Sequence, residues 1–370
     1  MRLKEKAPGG ISGRSTRNAL NFILTKQRPY LKPCYFRVLP NFILHRTADL
    51  IERVTPKKFI RRKFVKPLAA NLQINRICNL RCPFCFFNIN NRNKQDHDKY
   101  NVTPDKFKEI LSRPLLSSLI RFGITGGEPF LNEHVFDFIA EAKKRIPIVT
   151  VNTNFSLAPS VINDLNSSAL SAINISFYDE NEKTVREYAG RISKNIFKRL
   201  SFLIIEEGNS FHRVGRMYEV ARMAVEMGFQ SLYFQDYLKP LESGREHASS
   251  GKKDHGSSLI DSIREERKKI EEKFSGRIDI VWPAIVDGAL KKASSPKCRQ
   301  PDIQIGLDGL GNLAPCCAVN RSAVFGNIFS DDTWNSDYFL RIRKGLKVPG
   351  QEVADVCEHC DFLYLNLQDR

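Results

Sequence analysis

Cys78, Cys82 and Cys85, spaced C-x3-C-x2-C, are the residues of this 370-residue chain whose types and spacing speak most directly of chemistry. They follow an alternating, strand-like run over 72–77, so all three sit on one tight loop. A cubane [4Fe–4S] cluster takes four thiolates. Three on one loop hold three irons and leave the fourth iron with an open coordination position. Such an iron can bind a chelating cosubstrate and pass it an electron. The competing use of the thiols is a structural zinc site, but such sites close with four ligands and no fourth stands nearby.

With Phe84 in the aromatic slot of C-x3-C-x-aromatic-C, the stretch resembles the signature of the radical S-adenosylmethionine (SAM) enzymes. The resemblance implies that SAM's amino and carboxylate groups chelate the open iron. Reductive cleavage then gives methionine and a 5′-deoxyadenosyl radical, which takes a hydrogen atom from substrate. Downstream lies Gly126-Gly127-Glu128-Pro129. Its glycines let a backbone approach a ligand closely, and Glu128 offers a carboxylate to an ammonium. It resembles the family's GGEP motif, which contacts the amino group of SAM. Thr153-Asn154-Phe155 is close to the family's T-N-G, with Phe155 in place of glycine and Asn154 as a cofactor-site candidate. Ser176 ends a strand where the family often contacts the SAM ribose, although strand-terminal hydroxyls are also commonplace. Many relatives carry an arginine just before the glycine corresponding to Gly190. Here Ala189 stands there and Arg191 just after, so Arg191 is the candidate clamp on the SAM carboxylate, or else a surface arginine.

Thiols return at Cys298, Cys316, Cys317, Cys357 and Cys360. Between them, 303–306 and 308–313 read as a hairpin with a glycine-containing turn, followed by Gly326-Asn327-Ile328 and Trp334. This order resembles the SPASM extension of radical SAM enzymes, reduced to one auxiliary cluster. The resemblance implies Cys298, Cys316, Cys357 and Cys360 as ligands of a second [4Fe–4S] cluster, with Cys317 spare or taking the place of Cys316. A four-cysteine zinc site is the alternative.

The elements that must position these residues alternate from residue 71 onward. Strand-like runs over 71–77, 119–125, 146–154, 171–177, 199–205 and 231–237 are separated by helical patterns, the mark of βαβ units in a parallel sheet. Thr103 and Pro104 begin one helix. Another covers 211–227 with Gly228 as its stop, and a charged one covers 259–275. The fold expected is α/β: a partial (β/α)6 TIM-like barrel, a small Cys-rich C-terminal SPASM/twitch-like module, and a basic, mostly helical N-terminal arm. The boundaries expected are 1–70 for the arm, 71–240 for the barrel, 241–297 for a linker with a helix and strand, and 298–370 for the cluster module. Chemistry in such barrels gathers at the carboxyl ends of the strands. Tyr178, Asp179, Tyr233, Gln235, Asp236 and Tyr237 lie there and are pocket candidates without an assigned role. His247 and His255, in a Ser/Gly/Lys-rich stretch, read as solvated.

At 42% apolar and 27% charged the composition is that of an ordinary globular protein. Nine clustered cysteines in a chain this long point to metal binding in a reducing compartment, not to a disulfide scaffold. No apolar run is long enough to span a membrane, and residues 1–20 lack the apolar core of a signal peptide. The expected setting is cytoplasmic. The net charge of +17 is concentrated in residues 1–70, which hold 17 Lys+Arg against 3 Asp+Glu, or +14. Residues 57–66 interleave aromatics with cations, which suits an anionic membrane surface, an acidic partner or nucleic acid, or else a solvated helical hairpin packed on the outside of the barrel. Asn21-Phe22-Ile23-Leu24 recurs as Asn41-Phe42-Ile43-Leu44, and two short amphipathic helices broken at Pro29, Pro33 and Pro40 would explain the echo.

The function that follows is reductive SAM cleavage and hydrogen abstraction from a sugar-like or other small substrate, in an oxidation or cross-linking reaction assisted by the auxiliary cluster. A peptide or protein side-chain maturase is the alternative. An electron donor of the flavodoxin or ferredoxin kind is implied. A reading from another class is a non-catalytic iron–sulfur protein recruited through its basic arm.

Overall fold

The computed structural model describes residues 35–54, 65–82, 85, 97–204, 210–235, 257–282, 298, 300–316, 319, 322–330, 333–346, 352, 354 and 357. Expectations for residues 57–64, Phe84, Asp236, Tyr237, the two histidines of the linker, Cys317 and Cys360 fall outside them.

Helix α1 (Tyr35–Val54) precedes the barrel. The strands and helices then alternate: β1 (Ala69–Gln73), α2 (Pro104–Ser112), β2 (Arg121–Thr125), α3 (Val135–Lys143), β3 (Ile148–Thr153) and α4 (Ala158–Ser167). The pattern continues with β4 (Ala172–Phe177), α5 (Glu182–Tyr188), β5 (Phe197–Leu203), α6 (Ser210–Gly215), α7 (Met217–Glu226), β6 (Ser231–Gln235), α8 (Ser257–Phe274) and β7 (Asp279–Val281). Strands β8 (Gln304–Asp308), β9 (Asn312–Ala314) and β10 (Ser322–Asn327) and helix α9 (Asp337–Gly345) follow. One sheet runs in the order β10-β9-β8-β1-β2-β3-β4-β5-β6-β7. It is parallel from β8 through β1 to β7, and antiparallel at β8–β9–β10.

The two faces of the sheet differ in chemistry. Leu72, Ile124, Val151, Ile173, Leu200 and Leu232 are fully buried in a core shared with Phe107, Phe138, Ile162, Val185 and Met217 of the helices. Strand neighbours alternate faces, so Asn71, Thr125, Asn152, Asn174, Arg199 and Tyr233 point the other way, and they are only half-buried. Among the described residues helices therefore cover one face alone, and the polar face is the concave interior of a partial TIM-type barrel, as expected.

Local signals held where local physics decides. Thr103 Oγ1 accepts from Lys106 N at 3.3 Å to cap α2, and Gly228 closes α7 at φ +69°. Three expectations need correction. The first strand stops at Gln73, not 77, because the backbone after it leaves the sheet to bond the turn after β2. The helix expected over 211–227 is two, interrupted at Arg216, which reaches Glu182 at 2.6 Å and also bonds Asp179. Helix α1 runs through Pro40 instead of breaking there. A helix-interior proline costs about 3 kcal/mol, but tertiary bonds hold the turn that follows. Asn41 Nδ2 donates to Lys66 O at 3.0 Å, Lys66 N to Asn41 Oδ1 at 2.9 Å, and His45 Nε2 lies 2.8 Å from Lys66 O. That clamp leaves Leu39, Phe42, Ile43 and Leu44 exposed.

The C-terminal strands are continuous with the barrel sheet, because β8 adds to β1 with Gln73 opposite Asp308. Trp334 Nε1 donates to Val65 O at 2.8 Å, and Arg343, itself buried, stacks on Trp334 at 3.9 Å and donates to Pro301 O at 2.9 Å.

Candidate active site at the carboxyl ends of the strands

The thiol loop is fastened to the neighbouring strand end by backbone. Gly127 N donates to Asn75 O at 3.1 Å and to Asn75 Oδ1 at 3.0 Å, Glu128 N donates to Ile77 O at 2.7 Å, and Asn75 Nδ2 returns to Glu128 O at 3.0 Å. The glycines serve this contact: a Cβ on Gly127 would overlap the Ile77 carbonyl. The backbone that comes so close to them is that of the cysteine loop itself. Pro129 opens the short 3-10 turn Pro129–Leu131, capped by the Glu128 side chain.

Glu128 is fully buried. Its carboxylate accepts from Thr153 Oγ1 at 2.7 Å, Asn154 N at 2.8 Å and Phe130 N at 3.1 Å. Burial nonetheless pushes its pKa up to about 7, the three hydrogen bonds offsetting only part of that cost. Through Glu128 the turn after β2 thus fixes the loop after β3. Asn154 reaches on to the thiol loop, its Nδ2 donating to Asn79 Oδ1 at 3.0 Å and lying 3.7 Å from Cys78 Sγ. Asn181 closes the set from β4: its Nδ2 donates to Ser176 O at 2.7 Å and to Asn154 O, while its Oδ1 accepts from Tyr178 N at 2.8 Å.

Phe155, in the slot of the family's glycine, takes φ +59° and is fully buried. The left-handed region costs a non-glycine residue about 1–2 kcal/mol. Truncating a buried phenylalanine costs about 3–5 kcal/mol, so packing outweighs strain. Phe155→Gly is expected to lower stability by about 2 kcal/mol on these figures, read as a shift in the urea midpoint. A gain in stability would show that relief of backbone strain outweighs the lost packing.

The three thiols carry the electrostatics of a site made for a positive core. Burial raises Cys78, with Glu128 and Cys85 adding to it, while N–H groups of Leu80 and Asn154 lower it. Cys82 is pushed up to about 12 by burial, then by Glu180, Cys85 and Cys78. Thiols that repel one another as thiolates need a cation to ionise, and donors aimed at Cys78 Sγ suit the ionised ligand. None of the described cysteines is in a disulfide. Among the described residues no three His, Cys, Asp or Glu side chains converge on a single ion. Three thiols on one loop suit three irons of a cubane, which leaves its fourth iron open. Tyr178, left without a role by sequence, sits here too. Burial and the nearby thiols raise its phenol, and a hydrogen bond with Ser176 opposes them.

Arg191 is placed elsewhere. Its side chain is 57% exposed, 3.8 Å from Glu187 and stacked on Tyr188 at 4.5 Å. The arginines that do reach the loop after β4 are Arg213 and Arg216, which pair with Asp179. No sequence motif marked them, since both lie on the far side of β5. Arg76, two residues before Cys78, stacks on Tyr100 at 3.3 Å and lies 3.8 Å from the buried Asp308 of the β8–β9 turn. The thiol loop and the C-terminal hairpin therefore touch. Cys298, Cys316 and Cys357 pack on the same apolar core, with Cys357 N donating to Ala354 O at 2.7 Å.

Comparison with known proteins accords with this geometry. Residues 72–231 match the Radical SAM superfamily and residues 298–361 match SPASM, an iron–sulfur cluster-binding domain. The GTP 3′,8-cyclase of Clostridium acetobutylicum is 35% identical over 101 residues, covering 27% of this chain and 31% of that protein. The GTP 3′,8-cyclase of Clostridium perfringens is 22% identical over 210 residues, covering 53% of this chain and 61% of that one. The chain thus matches less than two thirds of either relative's length. Among solved structures, Streptococcus suis SuiB bound to the precursor peptide SuiA aligns with a TM-score of 0.57 at 16% identity, over 79% of this chain and 72% of that one. Native anSMEcpe with bound AdoMet aligns with a TM-score of 0.56 at 18% identity, over 81% and 89%. At such identities the likeness is one of fold.

Proposed function

We propose that this chain, which belongs to the radical SAM superfamily and carries a SPASM domain, cleaves SAM reductively and abstracts a hydrogen atom from a small polar substrate. Its cofactors are SAM, a [4Fe–4S] cluster and an auxiliary iron–sulfur cluster. When bound, they supply the electron and the 5′-deoxyadenosyl radical that such chemistry needs. The observation that carries the reading is the single hydrogen-bonded unit formed by the thiol loop, the Gly126–Pro129 turn and the Asn154 loop.

In this reading Cys78, Cys82 and Cys85 hold three irons, and Phe84 lies within their loop. Gly126, Gly127, Glu128 and Pro129 shape the wall that meets the SAM ammonium. Asn154 and Ser176 flank it at the ends of β3 and β4. Arg191, on its exposed site, would have to swing inward to serve, so Arg216 or Arg213 is the better placed cation. Cys298, Cys316, Cys357 and Cys360 would hold the auxiliary cluster, whose chemistry there would be electron transfer in a net oxidation. The contact of Arg76 with Asp308 joins the thiol loop to the C-terminal hairpin. A second reading, a peptide side-chain maturase, draws on the fold shared with peptide-bound SuiB.

No described helix is long and apolar enough to cross a membrane. We place the protein in a reducing compartment with a flavodoxin- or ferredoxin-like donor. Its basic residues 1–70 and the exposed apolar residues of α1 would meet an anionic membrane surface or acidic partner.

The test is anaerobic reconstitution with dithionite and SAM. The native chain should form 5′-deoxyadenosine. Cys78→Ala, Cys82→Ala and Cys85→Ala together should form none, and iron should fall from about eight to about four per chain. Nucleoside formation undiminished in the triple variant would overturn the assignment.

A further inference from the structure

One level of the barrel interior is polar across five consecutive strands. Asn152, Asn174, Arg199, Ser231 and Asp279 stand in unbroken register from β3 to β7. The next level toward the carboxyl ends carries Ser176, Ser201 and Tyr233. This is the face that no described helix covers, and its upper rim is the cofactor wall described above. A packed barrel would fill these positions with apolar side chains. Here they are left to hydrogen-bonding groups, and some of those groups lack a partner. Arg199 Nε, Ser231 Oγ and Gln73 Nε2 are buried without a hydrogen bond. A buried polar atom left in that state costs about 1–3 kcal/mol, so the interior is built for something that supplies acceptors.

Arg199 decides what kind. Its Nε is buried and unpartnered, the residue as a whole is half-buried, and strand alternation turns its side chain to the interior face. Burial opposes its charge, the fields of Tyr233 and Asp279 favour it, and the guanidinium carbon lies 5.7 Å from the centre of the Tyr233 ring. Among the described residues no carboxylate forms an ion pair with it. The other arginine on this face, Arg121, is tied to Asn71 Oδ1 at 3.1 Å and Gln304 Oε1 at 3.4 Å near the amino ends of the strands. Beside Arg199, Asn174 Nδ2 donates to Asn152 Oδ1 at 2.6 Å, which leaves the Asn152 amide N–H groups and the Asn174 carbonyl turned to the interior.

We propose that Arg199 is a substrate-specificity residue: its guanidinium receives a carboxylate of the substrate, and Asn152 and Asn174 receive hydroxyl or amide groups beside it. A carboxylate matches the forked geometry of a guanidinium. One cation with Asp279 close by balances a single negative charge, whereas a polyphosphate would bring several against it. The proposal rests on the barrel interior being the substrate site of the reaction proposed above, and it narrows that substrate to a hydroxy or amino carboxylate or an acidic side chain.

Calorimetric titration of the reconstituted full-length protein with D-glycerate, glycerol 3-phosphate and glycerol tests it. The native chain should bind glycerate at least about tenfold more tightly than glycerol, and Arg199→Gln should erase that preference while Arg199→Lys keeps part of it. Equal binding of glycerate by the native chain and Arg199→Gln overturns the proposal. So does a native chain that prefers glycerol 3-phosphate, which would assign the guanidinium to a phosphate. Should Arg199→Gln fail to load iron, Asp279→Asn reads the same charge from the other side. Removing that neighbouring carboxylate should tighten glycerate binding several-fold, and no change counts against Arg199. Absence of 5′-deoxyadenosine from the native chain would sink the proposed reaction and leave the titration standing.

Discussion

Gly127→Ala is expected to strip the first cluster and reduce SAM cleavage to about a hundredth or less, an effect worth roughly 3 kcal/mol or more. The added Cβ would overlap the Ile77 carbonyl and crowd Cys78 N, which are backbone atoms that cannot rotate aside. Relief requires moving the thiol loop off the turn, which breaks the bonds from Gly127 N to Asn75 O and from Glu128 N to Ile77 O. Iron should then fall by about four per chain while the auxiliary cluster, on other elements, stays loaded. Gly190→Ala is the matched control, because a Cβ there meets only Met227 Sδ at 3.9 Å. Full iron and full activity in Gly127→Ala would refute the account of how the loop is held.

Glu128 should make the stability of the protein without SAM depend on pH. Its carboxyl has a folded pKa of about 7 against an ordinary 4.5. The folded state therefore holds the proton more tightly, and stability present below pH 4.5 is lost as pH rises through about 7. The loss approaches roughly 3 kcal/mol by pH 8. Urea midpoints at pH 5 and pH 8 read it directly. Glu128→Gln cannot ionise and should flatten that part of the slope. It keeps an acceptor for Thr153 Oγ1 but presents an NH2 to Asn154 N, so it should also loosen the Asn154 loop. SAM binding should flatten the native slope as well, since an ammonium beside the carboxylate favours the ionised form. Identical slopes for the native chain and Glu128→Gln would show that Glu128 does not titrate in this range.

Both predictions depend on contacts that no spacing rule supplies. The cysteine loop, the Gly126–Pro129 turn, the strand order β1 to β6 and the hairpin after Cys298 were legible because each is local: alternation, a cap, a turn residue or a run of thiols. The strand ends were read a few residues too long after β1, where pairing with a loop replaces pairing with a strand. Pro40 misled because a local rule met the clamp of Asn41 and His45 on Lys66. Phe155 was read only as a departure from glycine. That it takes a left-handed backbone with its ring in the core depends on the pocket around it.

By itself the sequence determined the class of chemistry and the alternation of strand and helix, because ligand spacing and hydrophobic period are properties of neighbours along the chain. Only the tertiary structure decided that Glu128 spends its hydrogen bonds on Thr153, Asn154 and Phe130. It alone turned Arg191 to solvent, joined β8 to β1, and lined five strands with a polar level around Arg199. Those outcomes rest on packing and register, which in the case of Gln73 and Asp308 pair residues more than two hundred positions apart.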